Sequence, residues 1–178
     1  MKNLIFMGGI HGVGKTTFCN ELSKRYPLSS FSASSIISDV KKQKFTSNKQ
    51  ITDIDKNQDF LIQGIEQIES TSIINIIDGH FCLIDKKNNI SRISKEIFAK
   101  LEPILLIVVI DSVDNIIDRL QTRDKLVYSP LFIESFQNEE IKYAKMIAEM
   151  LGKPLFIFNN TPESKLELHE FITELGVI

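Results

Sequence analysis

No tryptophan occurs in the sequence, cysteine appears only twice, and arginine supplies only four of the 21 basic side chains. Cys19 and Cys82 stand far apart, with neither in a C-x-x-C spacing. That excludes a zinc ribbon and a disulfide framework, and a reduced, cytoplasmic setting is expected. Positive charge is not in excess either. The formal net charge is −2 and the pI is near 5.9, so the phosphate-collecting surface of a duplex-binding protein is missing and nucleic acid is not an expected partner. Lys41, Lys42, Lys44 and Lys49 make one local basic run, either a solvated helix end or a lure for an anionic substrate. Long apolar runs are also lacking: no segment approaches the ~18 residues of a membrane span, and "MKNLIFMGG" breaks at glycine too early for a signal peptide. The longest run, Pro103 to Ile110, has the length of a strand.

What remains is ordinary globular composition, 43% hydrophobic and 25% charged, with no repeat, low-complexity tract or linker. One domain spanning residues 1–178 is expected. Four apolar runs lack alternation: Asn3 to Gly8, Ser72 to Asp78, Ile104 to Asp111 and Pro154 to Asn159. Such runs suit parallel strands covered on both faces. "LSSFSA", from Leu28, is a weaker fifth strand.

Between these runs lie helical patterns. One begins at Thr16 and ends near Arg25; another follows "SASS" with Ser34 or Ser35 as cap; a third opens at Asp53 or Asp55. Further helices are expected over Ser94 to Leu101, after Asp111 or Ser112, over Pro130 to Leu151 before Gly152, and from Pro162 behind Thr161. The alternation argues an α/β, three-layer domain with a parallel sheet. "FTSNKQITDIDKNQ" and "LIDKKNNISR" are the polar segments expected as loops over a site.

The densest chemistry lies in "FMGGIHGVGKTTFC". Gly9, Gly14, Lys15 and Thr16 satisfy G-x-x-x-x-G-K-S/T between a strand and a helix, the context that a phosphate-binding loop requires. Glycines let backbone N–H groups converge on phosphate oxygens at a helix N-terminus. Lys15 then offers a mobile cation to the β- and γ-phosphates, and the Thr16 hydroxyl enters the Mg²⁺ shell. His11, Gly12, Val13 and Thr17 complete the expected ATP-binding stretch, and ATP and Mg²⁺ are the expected cofactors. A carboxylate from a neighbouring strand must also face the metal. Asp78, closing "IINIIDGH", is favoured over Asp111, which is read as a helix cap.

Transferring a phosphoryl group needs cations over its equatorial oxygens. Arg119 and Arg123 stand four apart in "IIDRLQTRDK", on one helix face. They are either a transition-state clamp or a surface pair offset by Asp118 and Asp124. His80, after Asp78-Gly79, either orients or deprotonates an acceptor or caps the next turn.

"GIHGVGKTT", "FSASS", "IIDGH" and "DNIIDRLQTRD", followed by "QNEEIKYAKMIAEMLGKPLFIF", resemble the nucleoside monophosphate kinase group of P-loop proteins. The likeness is greatest to archaeal-type adenylate kinases, where a D-x-H follows the third strand and a short arginine lid the fourth. It implies five parallel strands in the order 2-3-1-4-5 and transfer of the γ-phosphate of ATP to a nucleoside monophosphate. It also implies that Lys15, Arg119 and Arg123 are catalytic, that Thr16 and Asp78 serve the metal, and that Phe31, Ser34, Ser35, Gln58 and His80 face the acceptor. One departure stands out: no arginine lies between Arg25 and Arg92, where such kinases grip the acceptor phosphate. Arg92, Lys41, Lys44 or Lys56 would have to substitute, or the acceptor is a small non-nucleotide alcohol or acid. A third alternative is an ATP-hydrolysing switch or accessory subunit. The expected partners are small molecules, with no membrane.

Overall fold

A computed structural model describes residues 3–44, 54–68, 72, 74–85, 87–124 and 128–177. The chain opens with β1 (Leu4–Gly8), α1 (Lys15–Arg25), β2 (Leu28–Ser32), α2 (Ala33–Lys44) and α3 (Ile54–Gln67). It continues with β3 (Ile74–Asp78), a hairpin of β4 (Cys82–Ile84) and β5 (Ile90–Arg92), and α4 (Lys95–Leu101). After β6 (Leu105–Ile110) come α5 (Val113–Asp124), α6 (Pro130–Leu151), β7 (Leu155–Asn159) and α7 (Pro162–Glu174).

Five strands form one sheet in the order β2-β3-β1-β6-β7, and every pairing in it is parallel. Counted over those five alone this is the expected 2-3-1-4-5; the difference is the separate β4–β5 hairpin. Every residue of β1 is buried, and β6 is buried up to its last position. Central strands covered by helices on both faces therefore read as continuous apolar runs. β2 and β7 lie at the edges and are only partly covered.

The register sets the site. Met7 stands opposite Asp78 and Gly8 opposite Val108, so the C-terminal ends of β1, β3 and β6 meet at one rim, where open α/β sheets bind their ligands. Beneath it Phe6, Phe81 and Phe98 form an aromatic cluster with centroids 5.0, 5.2 and 5.3 Å apart. Phe81 is fully buried, and truncating such a ring to Ala costs about 3–5 kcal/mol.

Several expected boundaries move. "LIDKKNNISR" forms a hairpin rather than an irregular loop, and its Leu83 lines a cavity of that site. Asp85 Oδ1 accepts from the N–H groups of Lys87 and Asn89, while Asn88 takes φ 61°, a left-handed conformation asparagine tolerates. α2 begins at Ala33, ahead of the expected caps; the Ser34 hydroxyl meets that of Ser32 instead, 2.9 Å away. α1 begins at Lys15 behind Gly14. At α7 the expectation holds, with the Thr161 hydroxyl accepting from the Ser164 N–H. Lys49 and Asp53 lie outside the described residues, as do the side chains of Lys44, Asp55 and Lys56.

Candidate active site

The phosphate loop is shaped by glycines in backbone regions closed to other residues. Gly12 has φ 80° and Gly14, the N-cap of α1, has φ 100°. A side chain at Gly12 would also meet Leu120 Cγ at 2.7 Å. Val13 is fully buried and anchors the loop from below.

Lys15 is 7% exposed, its ammonium folded back into the nest. It donates to the carbonyls of Gly9 (2.7 Å) and Ile10 (3.2 Å). His80 Nε2 lies 3.4 Å away and Asp78 Oδ1 4.0 Å away. Burial lowers the lysine pKa against the pull of Asp78 and Glu140. Burial, with Lys15 and His11 adding to it, also holds the His80 imidazole well below its ordinary pKa, so the ring is neutral at pH 7.

Asp78 and Asp111 part company here. The Thr16 hydroxyl donates to Asp78 Oδ2 at 2.9 Å, which puts two hard oxygen groups side by side at the mouth of the loop. Among the described residues no group of three or more His, Cys, Asp or Glu side chains is placed to hold a metal ion by itself. One hydroxyl and one carboxylate fit Mg²⁺, which keeps several waters and takes substrate phosphates as ligands.

Asp111 does something the sequence did not suggest. Its Oδ1 accepts from the Ser112 N–H and from Asn115, while Oδ2 takes Arg119 Nη2 at 2.5 Å and Asn160 Nδ2 at 3.3 Å. Arg119 Nη1 reaches on to the Gly12 carbonyl, 3.1 Å away. Asp111 therefore aims an arginine at the phosphate loop, and the helix cap falls to Ser112, whose Oγ accepts from the Asn115 N–H.

Two cavities result. One of about 340 Å³ is lined by Gly12, Gly14, Lys15, Thr16, Thr17, Asp78, Arg119 and Arg123. The second, about 240 Å³, lies between α2, α3 and α4 over the aromatic cluster, and Gln58 lines it. His11, Ala33, Ser34 and His80 border both. Thus the structure brings Lys15, Thr16, Asp78, Arg119, Arg123, Ser34, Gln58 and His80 to two cavities that share a border. Three residues expected on the acceptor side stay away, Ser35 among them, since it lines the same hollow as Phe31. Phe31 lines a hollow with Asp39 and Gly64, and Arg92 is held by Glu139 at 2.6 Å and lies 4.9 Å over the Tyr143 ring.

Glu140 is the residue that sequence reasoning missed. At 1% exposure its Oε1 accepts from the N–H groups of Gly9 and Phe81, both at 2.8 Å. Oε2 accepts from Cys82 N–H at 2.6 Å. A signal was present: Ile133, Phe136, Tyr143, Ala144 and Ile147 form a helical stripe, and a charge placed within a buried stripe must have partners. Burial raises its carboxyl pKa, and the three N–H donors pull the other way.

A family model for an AAA domain, AAA_17, matches residues 8–130, over half of the chain. The chain belongs to this AAA domain family. The phosphate loop, Asp78, Arg119 and Arg123 of this AAA domain chain fall inside the match, whereas Glu140 and Asn160 lie beyond it. No curated protein sequence matches. Among solved structures the chain is similar to TT1252 from Thermus thermophilus, at 12% identity and TM-score 0.54, over 97% of each chain. It is also similar to an uncharacterized protein from Eubacterium ventriosum, at 11% identity and TM-score 0.51, covering 98% of this chain and 99% of that one. At such identities the likeness concerns the fold: a five-stranded parallel sheet flanked by helices.

Proposed function

We propose that the chain is a phosphotransferase that moves the γ-phosphoryl group of Mg²⁺-bound ATP to an acceptor in the second cavity. The observation that carries this is the shared border of the two cavities at His11, Ala33, Ser34 and His80. A donor site ringed by cations thereby opens onto a separate, largely apolar compartment, which a simple nucleotide switch does not need. Lys15, Arg119 and Arg123 supply the positive charge that a loose phosphoryl-transfer transition state requires. When bound, Mg²⁺ neutralises charge on the β- and γ-oxygens, and Thr16 with Asp78 would hold it.

The resemblance to archaeal-type adenylate kinases makes a nucleoside monophosphate the first acceptor class to test. A second class, acceptors with no phosphate of their own, is favoured by the lining of the cavity: among the described residues neither Lys nor Arg contributes to it. Coupled ADP-release assays with nucleoside monophosphates, nucleosides and small alcohols decide the function. Slow hydrolysis unaffected by every acceptor would refute the transferase and leave an ATP-dependent switch.

A further inference from the structure

The second cavity has a chemically lopsided lining. Phe6, Ile37, Leu61, Leu83, Ile97 and Phe98 make its walls apolar, while its polar groups are confined to two places. At the border with the phosphate cavity stand His11, Ser34 and His80. The carboxamides of Asn57 and Gln58 form the other group. Gln58 is 4% exposed, and neither its Oε1 nor Asn57 Oδ1 has a hydrogen-bond partner among the described residues. Buried carbonyl oxygens without donors cost free energy in the empty protein. Two on adjacent residues, lining one cavity, are supplied once a ligand brings N–H or O–H groups to them.

An occupant is defined by these features. It is small, because the cavity falls below the ~300–1,000 Å³ of drug-sized sites. Its body is apolar and ring-like, to lie against Phe6 and Phe98. It carries hydrogen-bond donors toward Asn57 and Gln58. It bears no phosphate or carboxylate inside the cavity, since the described cations, Lys15, Arg119 and Arg123, line the donor cavity alone, and an unpaired buried anion is strongly disfavoured.

Resting on the kinase reading above, we propose that the acceptor is an unphosphorylated nucleoside or nucleoside-like heterocycle. Its donor-bearing edge meets the Asn57 and Gln58 carboxamides, and its hydroxyl lies at the His80 border. That hydroxyl oxygen forms the new bond to the γ-phosphorus. The bond from γ-phosphorus to the β,γ-bridging oxygen breaks with its electron pair going to ADP, and the hydroxyl proton passes to solvent. The products are ADP, a phosphate monoester and one proton, so no further reactant is needed.

The test uses matched pairs: adenosine, cytidine, guanosine and uridine, each against its own 5′-monophosphate, with the full chain and Mg²⁺-ATP. ADP release is read in one arm, and nucleoside binding by calorimetry with a non-hydrolysable ATP analogue in the other. At least one nucleoside is expected to be turned over with kcat/KM tenfold or more above its monophosphate. Gln58→Leu, which removes the orphaned carbonyl oxygen while keeping the volume, is expected to keep or raise the melting temperature of the empty protein and to weaken binding of that nucleoside at least tenfold. Turnover of monophosphates in preference to nucleosides overturns this inference and leaves the kinase intact. ADP release with neither series overturns this inference, and overturns the kinase reading as well once the small alcohols also fail. Unchanged nucleoside affinity in Gln58→Leu overturns the placement of the ligand.

Discussion

Glu140→Gln isolates the charge of a side chain that the fold uses three times. The substitution keeps length and volume, so it opens no cavity. One amide oxygen replaces Oε1 and still accepts from Gly9 and Phe81, whose donors sit 2.8 Å away. The amide nitrogen then faces the Cys82 N–H across the 2.6 Å now spanned by a hydrogen bond, donor against donor. A hydrogen bond to a charged group contributes about 1.5–3 kcal/mol, and an unsatisfied buried donor costs about 1–3 kcal/mol. One bond is lost outright and two become neutral, so the expected destabilisation is about 2–4 kcal/mol. For a chain of this size that corresponds to a melting temperature lowered by roughly 4–16 °C. Urea unfolding supplies the assay, with the midpoint displaced and the slope unchanged. A variant within about 0.5 kcal/mol of the parent, the range of an inconsequential surface change, would refute the view that a carboxylate holds these loops.

The other predictions concern chemistry and pH. Lys15→Ala should abolish turnover while leaving the fold in place, checked by ADP release beside circular dichroism. Arg123→Ala should slow phosphoryl transfer by ~10³-fold or more if this arginine clamps the transition state, with ATP affinity nearly unchanged by calorimetry. Asp111→Asn removes the ionic partner of Arg119 and should lower kcat while weakening ATP binding much less; equal losses in kcat and affinity would argue against an aiming role. His80 carries a pH signature: burial depresses its folded pKa, so below about 6.5 the unfolded chain binds a proton that the native state refuses. Stability in metal-free buffer should therefore be full above pH 6.5 and fall as pH drops below it, by at most about 1.4 kcal/mol per unit. His80→Gln should flatten that limb in thermal melts from pH 5 to 8.

Much of the architecture was legible because parallel strands buried on both faces leave an unmistakable trace, as in "ILLIVVI". The phosphate loop was legible because its chemistry is local: glycines, lysine and threonine act within a few residues of one another. The pairing of Thr16 with Asp78 follows from register, which brings the end of β3 level with the end of β1 that leads into the phosphate loop and α1. Less visible were interactions closed across long stretches of chain. Nothing near Asp111 announces that it aims Arg119 rather than capping a helix, because both roles ask for a carboxylate at a strand end. Arg92 looked available in sequence, yet Glu139 and Tyr143, remote in the chain, hold it away from both cavities. Phe31 faces a hollow on the other side of α2, a direction that an edge strand with five half-buried residues does not declare.

α6 ties these observations together mechanically. Gln137 exchanges two hydrogen bonds with the Asp111 backbone, Glu140 grips Gly9 and the β3–β4 turn, and the Tyr143 hydroxyl donates to the Ile93 carbonyl. Spaced by three along one helical face, these side chains make α6 a keel to which the phosphate loop, the arginine anchor and the floor of the second cavity are all fastened. Parts fastened to one keel travel together, so an approach between the contents of the two cavities cannot come from moving one of these loops against another. It has to come from the members that these ties do not reach: α2 and α3 over the second cavity, and the C-terminal turn of α5 that carries Arg123.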